Sequence, residues 1–206
     1  MTTSQRELHE ALLAALPAQG HWSAEEYLWL TDHTTRPLEF TDGAIEVLPR
    51  PTDQHQGILF LLAQLFSAHL QPRGGVVLFA PLRLQLRPGR FREPDILILR
   101  DARDSRRRNR YWLGADLVVE IVSADNPERD LVEKRREYAE AGIPEYWIVN
   151  PLDETSGVLV LRDGAYVERG PFARGMRATS ALFPDISVEV DAVFDAYYPA
   201  DDDQDR

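Results

Sequence analysis

The sequence predicts an α/β fold: a mixed central sheet flanked by helices, with a helix and a β-hairpin added on the N-terminal side. Three observations carry this. Apolar residues recur at helical spacing between Thr52 and Leu70, at Ile58, Leu62, Leu65, Phe66 and Leu70. Asp116 to Val122 is a short, β-branched apolar run, the pattern of a strand buried on both faces. A helix and then a second such run, Glu145 to Val149, follow it, and this alternation builds a layered α/β core.

The elements follow in order. Ser23-Ala-Glu-Glu26 has the spacing of a capping box, so a short helix carrying Tyr27, Leu28 and Leu30 starts there. Pro37 to Leu48 reads as two alternating runs on either side of Asp42-Gly43, a pair that accepts the positive φ of a tight hairpin turn. Val76 to Phe79, Leu82 to Leu86 and Asp95 to Leu99 read as strands, and Arg100 to Gly114 as a polar loop. Asn126 suits an N-cap and Pro127 the first helical position, so a helix runs from there to about Ala141 and stops at Gly142. A hairpin around Asp163-Gly164, a strand near Ile186 to Val190 and a short final helix complete the chain. One domain over 1–198 is expected, with an acidic, disordered tail over 199–206.

Bulk properties narrow the function. A chain of 206 residues fits one domain with a real core. With no cysteine, disulfides, thiolate catalysis and cysteine–zinc sites are excluded. Met1 to Glu10 lacks a basic-then-apolar leader, and the run Ile58 to Phe66 is too short to span a bilayer, so a cytoplasmic protein without membrane contact is expected. The net charge of -11 weighs against a polyanionic partner. Two features offset it. Arg100, Arg103, Arg106, Arg107, Arg108 and Arg110 form a local basic stretch, and acids that hold a metal are neutralised by the ion.

Three residues stand out chemically. Asp95 opens the apolar run Ile96 to Leu99, and Glu120 lies inside the run Leu117 to Val122. An uncompensated carboxylate in a buried strand costs several kcal/mol and needs a partner or a metal. If the two strands pair, both carboxylates address one spot. Among 23 Lys+Arg, Lys134 is the one lysine, so it marks a place where arginine would fail. Its compact ammonium has a pKa that shifts readily, while a guanidinium stays protonated, so Lys134 is expected to orient or deprotonate the attacking water. Lys134 stands four residues after Asp130, on the same helix face. Two carboxylates that hold Mg²⁺, with Mn²⁺ as substitute, and a lysine beside the attacking water form a set able to hydrolyse a phosphodiester.

Structural readings compete with these. Asp95 can be a turn residue at a strand edge. Glu120 can pair with Arg135 or Arg136, and Lys134 with Asp130 in solvent. His55 either holds a phosphate or orients a carboxylate, or it lines the first turn of the long helix. Ser123 and Gln56 offer hydrogen bonds. Trp147 and Tyr146 read as core residues, and Tyr111 and Trp112 as candidates for base stacking or for anchoring the arginine loop.

Glu120-Ile-Val-Ser123, Asp130, Lys134, Tyr138, Gly142-Ile-Pro-Glu-Tyr-Trp-Ile-Val149 and Asn150-Pro151 closely resemble the Uma family of restriction-endonuclease-like proteins, within the PD-(D/E)xK superfamily. Pro94-Asp95, Leu38-Glu-Phe-Thr-Asp-Gly43 and His55 match the same family's earlier motifs. The likeness covers most of Ser23 to Pro151; Asn150 departs from it, standing where the family often has aspartate. The common nuclease pattern puts the lysine two residues after the glutamate, where this chain has Val122; the resemblance implies that it has moved to the following helix, as Lys134. It also implies a restriction-endonuclease-like core and an active site of Asp95, Glu120, Lys134 and Glu39. Glu39 is otherwise readable as an exposed hairpin acid.

The resulting expectation is an Mg²⁺-dependent endonuclease acting on nucleic acid, DNA above all. Asp95, Glu120 and the Ile121 carbonyl hold the metal, and His55, Ser123 and Asp130 are accessory. The rivals are a catalytically silent nuclease-fold protein-binding module and a hydrolase of a small phosphodiester. Restriction-like nucleases often pair, and Val193, Phe194, Tyr197 and Tyr198 offer an apolar surface for a homodimer.

Overall fold

The computed structural model describes residues 16–196. Its centre is a six-stranded sheet in the order β10-β9-β8-β7-β6-β3. The strands are β3 (Val76–Phe79), β6 (Ile96–Leu99), β7 (Leu117–Ile121), β8 (Glu145–Asn150), β9 (Thr155–Arg162) and β10 (Ala165–Phe172). Only β7 and β8 are parallel neighbours, so the sheet is mixed, as the sequence predicts.

Side chains on a strand alternate between faces, and on β7 this sorts the core from the chemistry. Leu117, Val119 and Ile121 point to one side, where α2 (Asp53–Leu70) lays down Ile58, Leu62 and Phe66. Val118 and Val122 lie on the other side with Tyr138. Glu120 shares that parity. Tyr138 sits on α3 (Lys134–Glu140), which continues a π-type turn over Arg129–Glu133. Gly142, at φ +74°, ends the helix as expected.

A second sheet, in the order β2-β1-β5-β4, is larger than the expected hairpin. β1 (Leu38–Thr41) and β2 (Ala44–Val47) flank Asp42-Gly43, and β4 (Leu84–Arg87) and β5 (Arg90–Arg92) complete it. β5 is only three residues long and strongly charged, so it carries no apolar alternation to reveal it. Leu38 and Phe40 pack on Tyr27 of α1 (Ala24–Asp32), with the Tyr27 and Phe40 rings stacked at 5.1 Å. Ser23 and Glu26 form the capping box. Glu39 lies between Leu38 and Phe40 and so turns its carboxylate away from that cluster.

Three expectations need correction. Val193 and Phe194, on the short α4 (Val190–Phe194), are buried in the core under α2 and cannot form a dimer surface. Their apolar spacing served packing. Tyr197, Tyr198 and the tail over 199–206 lie outside the described residues. Trp112 is buried as well: its backbone bridges to Leu84, and its indole fills the second core rather than offering a stacking face. The arginine loop is not a free basic strip either. Arg103 pairs with Asp101, Arg106 with Asp104 and Asp116, and Arg110 with Asp32. β11 (Arg177–Thr179) and β12 (Ser187–Glu189) form a small separate ribbon. No helix among the described residues is long and apolar enough to cross a membrane.

Gly43 ties the second sheet to the segment before α1. Its φ is +91°, and its carbonyl accepts hydrogen bonds from the Gly20 and Trp22 amides at 2.8 and 3.0 Å. A Cβ there would stand 2.4 Å from the Gly20 carbonyl oxygen. Gly43→Ala is therefore expected to lower unfolding free energy by about 2 kcal/mol or more, read as an earlier midpoint in urea denaturation.

Candidate active site

The sequence-predicted residues converge on the end of β7. The antiparallel register Ile96↔Val119 places Asp95, one residue before β6, beside Glu120 and Ile121. Asp95 Oδ2 accepts a hydrogen bond from the Ile121 amide at 2.7 Å, and Oδ1 faces His55 Nε2 at 3.1 Å. His55 belongs to the first turn of α2, where Thr52 caps the helix by accepting the His55 backbone N–H. His55 therefore lines the first turn of the helix, and its ring meets the Asp95 carboxylate.

Glu120 is buried, and its two oxygens are divided. Oε1 accepts the Tyr138 hydroxyl at 2.5 Å, and Oε2 faces Lys134 Nζ at 3.0 Å. Lys134 and Tyr138 are one helical turn apart on α3, so a single helix face supplies both partners. The same ammonium lies 3.1 Å from Asp130 Oδ1 and 3.5 Å from Glu39 Oε1. Lys134 is 4% exposed, which removes the reading of a surface lysine. Arg135 and Arg136 turn outward to Glu168 and Glu140, so neither is the partner of Glu120.

The electrostatics follow from burial and crowding. Burial raises the Glu120 and Asp130 carboxyls above their usual range, against the downward pull of Lys134. Burial disfavours the Lys134 charge, but Glu120, Glu39 and Asp130 outweigh it and hold the ammonium well above its ordinary value. His55 is pulled down by burial and up by Asp95 and Asp130, with a net rise.

These groups form the floor of a cleft of about 260 Å³. Its walls include Pro37, Leu48, Arg50, Ser123, Arg129 and Leu152. Ser123 reaches the cleft, and its hydroxyl accepts the Asp125 amide. The Arg129 guanidinium is engaged by Glu46 of β2. The cleft-lining oxygens available to a hard cation are those of Asp95, Glu120 and Asp130, with Glu39 buried behind them. Among the described residues, no three His, Asp or Glu side chains form a ready-made metal cage.

Sequence reasoning missed Glu93 and the pair Arg92–Glu137. Glu93 is buried beside Glu39, whose Oε1 accepts the Glu93 amide at 3.3 Å. Burial, and then the Glu39 charge, push its carboxyl up to about 7. Its place two residues before Asp95, on the cleft side, was the available signal. The Arg92 guanidinium grips Glu137 through two hydrogen bonds of 2.7 Å. Those residues are 45 apart in the chain, so no local spacing announces them.

With this geometry in place, likeness to known proteins can be weighed. The family model described as Uma2, putative restriction endonuclease, matches residues 24–191. The chain belongs to the Uma2 family. A crystal structure of a putative nuclease belonging to DUF820 from Anabaena variabilis aligns with a TM-score of 0.68 at 17% identity, covering 87% of this chain and 99% of that one. At that identity the likeness establishes a shared fold. No curated protein matches the chain. The Uma2 match spans Glu39, Asp95, Glu120 and Lys134 alike.

Glu93 yields a pH test. Its folded-state value, about 7, lies above the ordinary 4.5. Its contribution to stability is therefore full below about pH 4.5 and is lost as pH rises through about 7. The loss is at most about 3 kcal/mol. Glu93→Gln is expected to flatten that decline, so its denaturation midpoint should gain on the parent's between pH 5 and pH 8; parallel declines would rule the explanation out.

Proposed function

We propose that this chain is a divalent-metal-dependent endonuclease that hydrolyses phosphodiester bonds in DNA. One observation carries the reading: a buried ammonium held by three carboxylates, next to a fourth, at the floor of an open cleft. A buried charge cluster is costly for a fold to keep, and this one faces solvent-accessible space. Membership of a family described as restriction endonucleases supports it.

The donor set suits Mg²⁺ or Mn²⁺. Asp95 and Glu120 would hold the ion, with the Ile121 carbonyl, while Glu39 and Asp130 add negative charge nearby. Mg²⁺ takes oxygen ligands, needs only one or two carboxylates and keeps its remaining positions for water and phosphate. Each Glu120 and Asp95 oxygen has one partner, leaving a second lone pair. When bound, the cation would acidify a water and offset charge on the phosphate.

The chain's own groups do the rest. Tyr138 fixes the Glu120 carboxylate through Oε1, and the Ile121 amide fixes Asp95 through Oδ2. Lys134 carries its proton throughout, since the surrounding carboxylates favour the ammonium. Its task is therefore to orient the attacking water and stabilise negative charge developing on phosphate oxygen, in place of the deprotonation also expected of it, while the proton of the metal-acidified water would pass to solvent in the cleft. An arginine could not take its place, because a planar guanidinium does not fit among three carboxylates arranged for a compact ammonium.

The net charge of -11 and the paired loop arginines favour a second reading, a small phosphodiester as substrate. The salt dependence of DNA affinity separates the two, because contact with several phosphates gives a steep slope.

The decisive assay is cleavage of plasmid and single-stranded DNA with Mg²⁺ or Mn²⁺. Asp95→Ala, Glu120→Ala and Lys134→Ala are each expected to reduce metal-dependent cleavage by about 10²-fold or more, with unchanged circular dichroism. Lys134→Arg should fail almost as badly. Parent-like rates in all of them would end the nuclease reading.

A further inference from the structure

A second charge cluster adjoins the first and is not exposed to the cleft. Arg92, on β5, is 6% exposed, and Glu137, on α3, is 5% exposed. Their bidentate contact at 2.7 Å is joined by Arg90 Nη1, 3.3 Å from Glu137 Oε1. Arg92 Nη1 donates to the Thr41 hydroxyl at 2.9 Å and lies 3.6 Å from Glu39 Oε2. Glu39 Oε2 has no hydrogen-bond partner of its own. Arg92 thus touches both Glu39 and the helix that carries Lys134.

We infer that Arg92 is a positioning residue: through Glu137 and Glu39 it sets where the Lys134 ammonium sits against Glu120. Glu137 follows Lys134 by three residues, so their side chains share a helix face. With Arg92 in place, Glu137 is satisfied from the second sheet and does not compete for the ammonium. Without it, Glu137 keeps Arg90 alone, at 3.3 Å, and Glu39 keeps Lys134 alone, so both buried carboxylates are under-compensated on the side of the ammonium away from Glu120. The ammonium would then be drawn along α3, away from Glu120 and Asp95. A bidentate guanidinium–carboxylate pair resists this because its two parallel hydrogen bonds fix direction as well as distance.

This rests on the proposed function for its kinetic arm only. The sequence holds one lysine, so lysine labelled with ¹³C at Cε gives a single NMR signal from Lys134. In Arg92→Met that signal is expected to shift, and kcat to fall by about 10²-fold with KM within about twofold. Arg92→Met/Glu137→Leu removes the Glu137 charge along with Arg92 and should restore the signal and kcat in part, with Glu39 still lacking Arg92 and Arg90 keeping Asp42 as a partner at 3.5 Å. Should Arg92→Met fail to fold, Glu137→Gln is the substitute. It frees Arg92 to draw Glu39 from the ammonium and should move the signal in the same experiment. A folded Arg92→Met with the parent's signal and kcat overturns the inference. If the parent chain cleaves no DNA, the nuclease reading fails while the lysine signal still decides the positioning role.

Discussion

Everything at this site depends on burying one ammonium among carboxylates. Lys134 Nζ lies within 3.5 Å of oxygens from Glu120, Asp130 and Glu39, drawn from a strand, a helical turn and a second sheet. Removing one partner of such a buried set costs about 3–5 kcal/mol, because the remaining charges stay desolvated. The cluster therefore locks three elements to one another and acts as a register pin. Its charges are more constrained than hydrophobic contacts at the same place would be, since apolar side chains tolerate sliding and a charge-assisted hydrogen bond does not. Stability and chemistry are consequently hard to separate here, which is why a signal from the lysine itself is more telling than a rate alone.

Helical geometry explains how a lysine outside the glutamate's strand reaches the same point. Val122, one residue past β7, has the same parity as Glu120 and points to the same face, where it is buried in the second core with Tyr138 and Ile148. The helix crossing that face supplies Lys134 from above. The Asp130–Lys134 pair spans the π-type turn, and Asp130 still meets the ammonium at 3.1 Å. Such turns recur at functional sites.

What the sequence revealed, and what it hid, divides along physical lines. Glu120 was legible because a carboxylate in a β-branched strand breaks the pattern, and Lys134 because it is the one lysine in an arginine-rich chain. Asp95 was legible from its place at the head of an apolar run. Glu39 and His55 were named with their roles open, since neither burial nor partner can be read from a hairpin or a helix's first turn. Arg92, Glu137 and the second sheet were hidden because their meaning lies in pairings across distant segments. Val193 and Phe194 went wrong for the opposite reason: an apolar side chain in a short helix reads alike whether it covers a core or a surface, and of the two readings of Trp112 the anchoring one holds. The arginine loop misled in part by composition, since Asp101 and Asp104 stand close enough to pair with Arg103 and Arg106.

The buried network has a charge imbalance with a direction. Around Arg92, the cations Arg90 and Arg92 meet Glu137, with Glu39 close by, and that half is close to neutral. Around Lys134 the balance is negative even with Glu39 assigned to Arg92, since Glu120, Asp130 and Asp95 face one ammonium and the His55 imidazole. Glu93 eases the strain by holding its proton near neutral pH. The excess therefore lies on the cleft side of the cluster, where solvent and ligands have access, and not on the side sealed by the second sheet. A fold that needed these charges only for cohesion would have placed its neutral half outward or balanced both. On the proposed reading, the deficit is what a divalent cation offsets, and the acidity of the chain as a whole becomes compatible with a phosphodiester substrate at this one position.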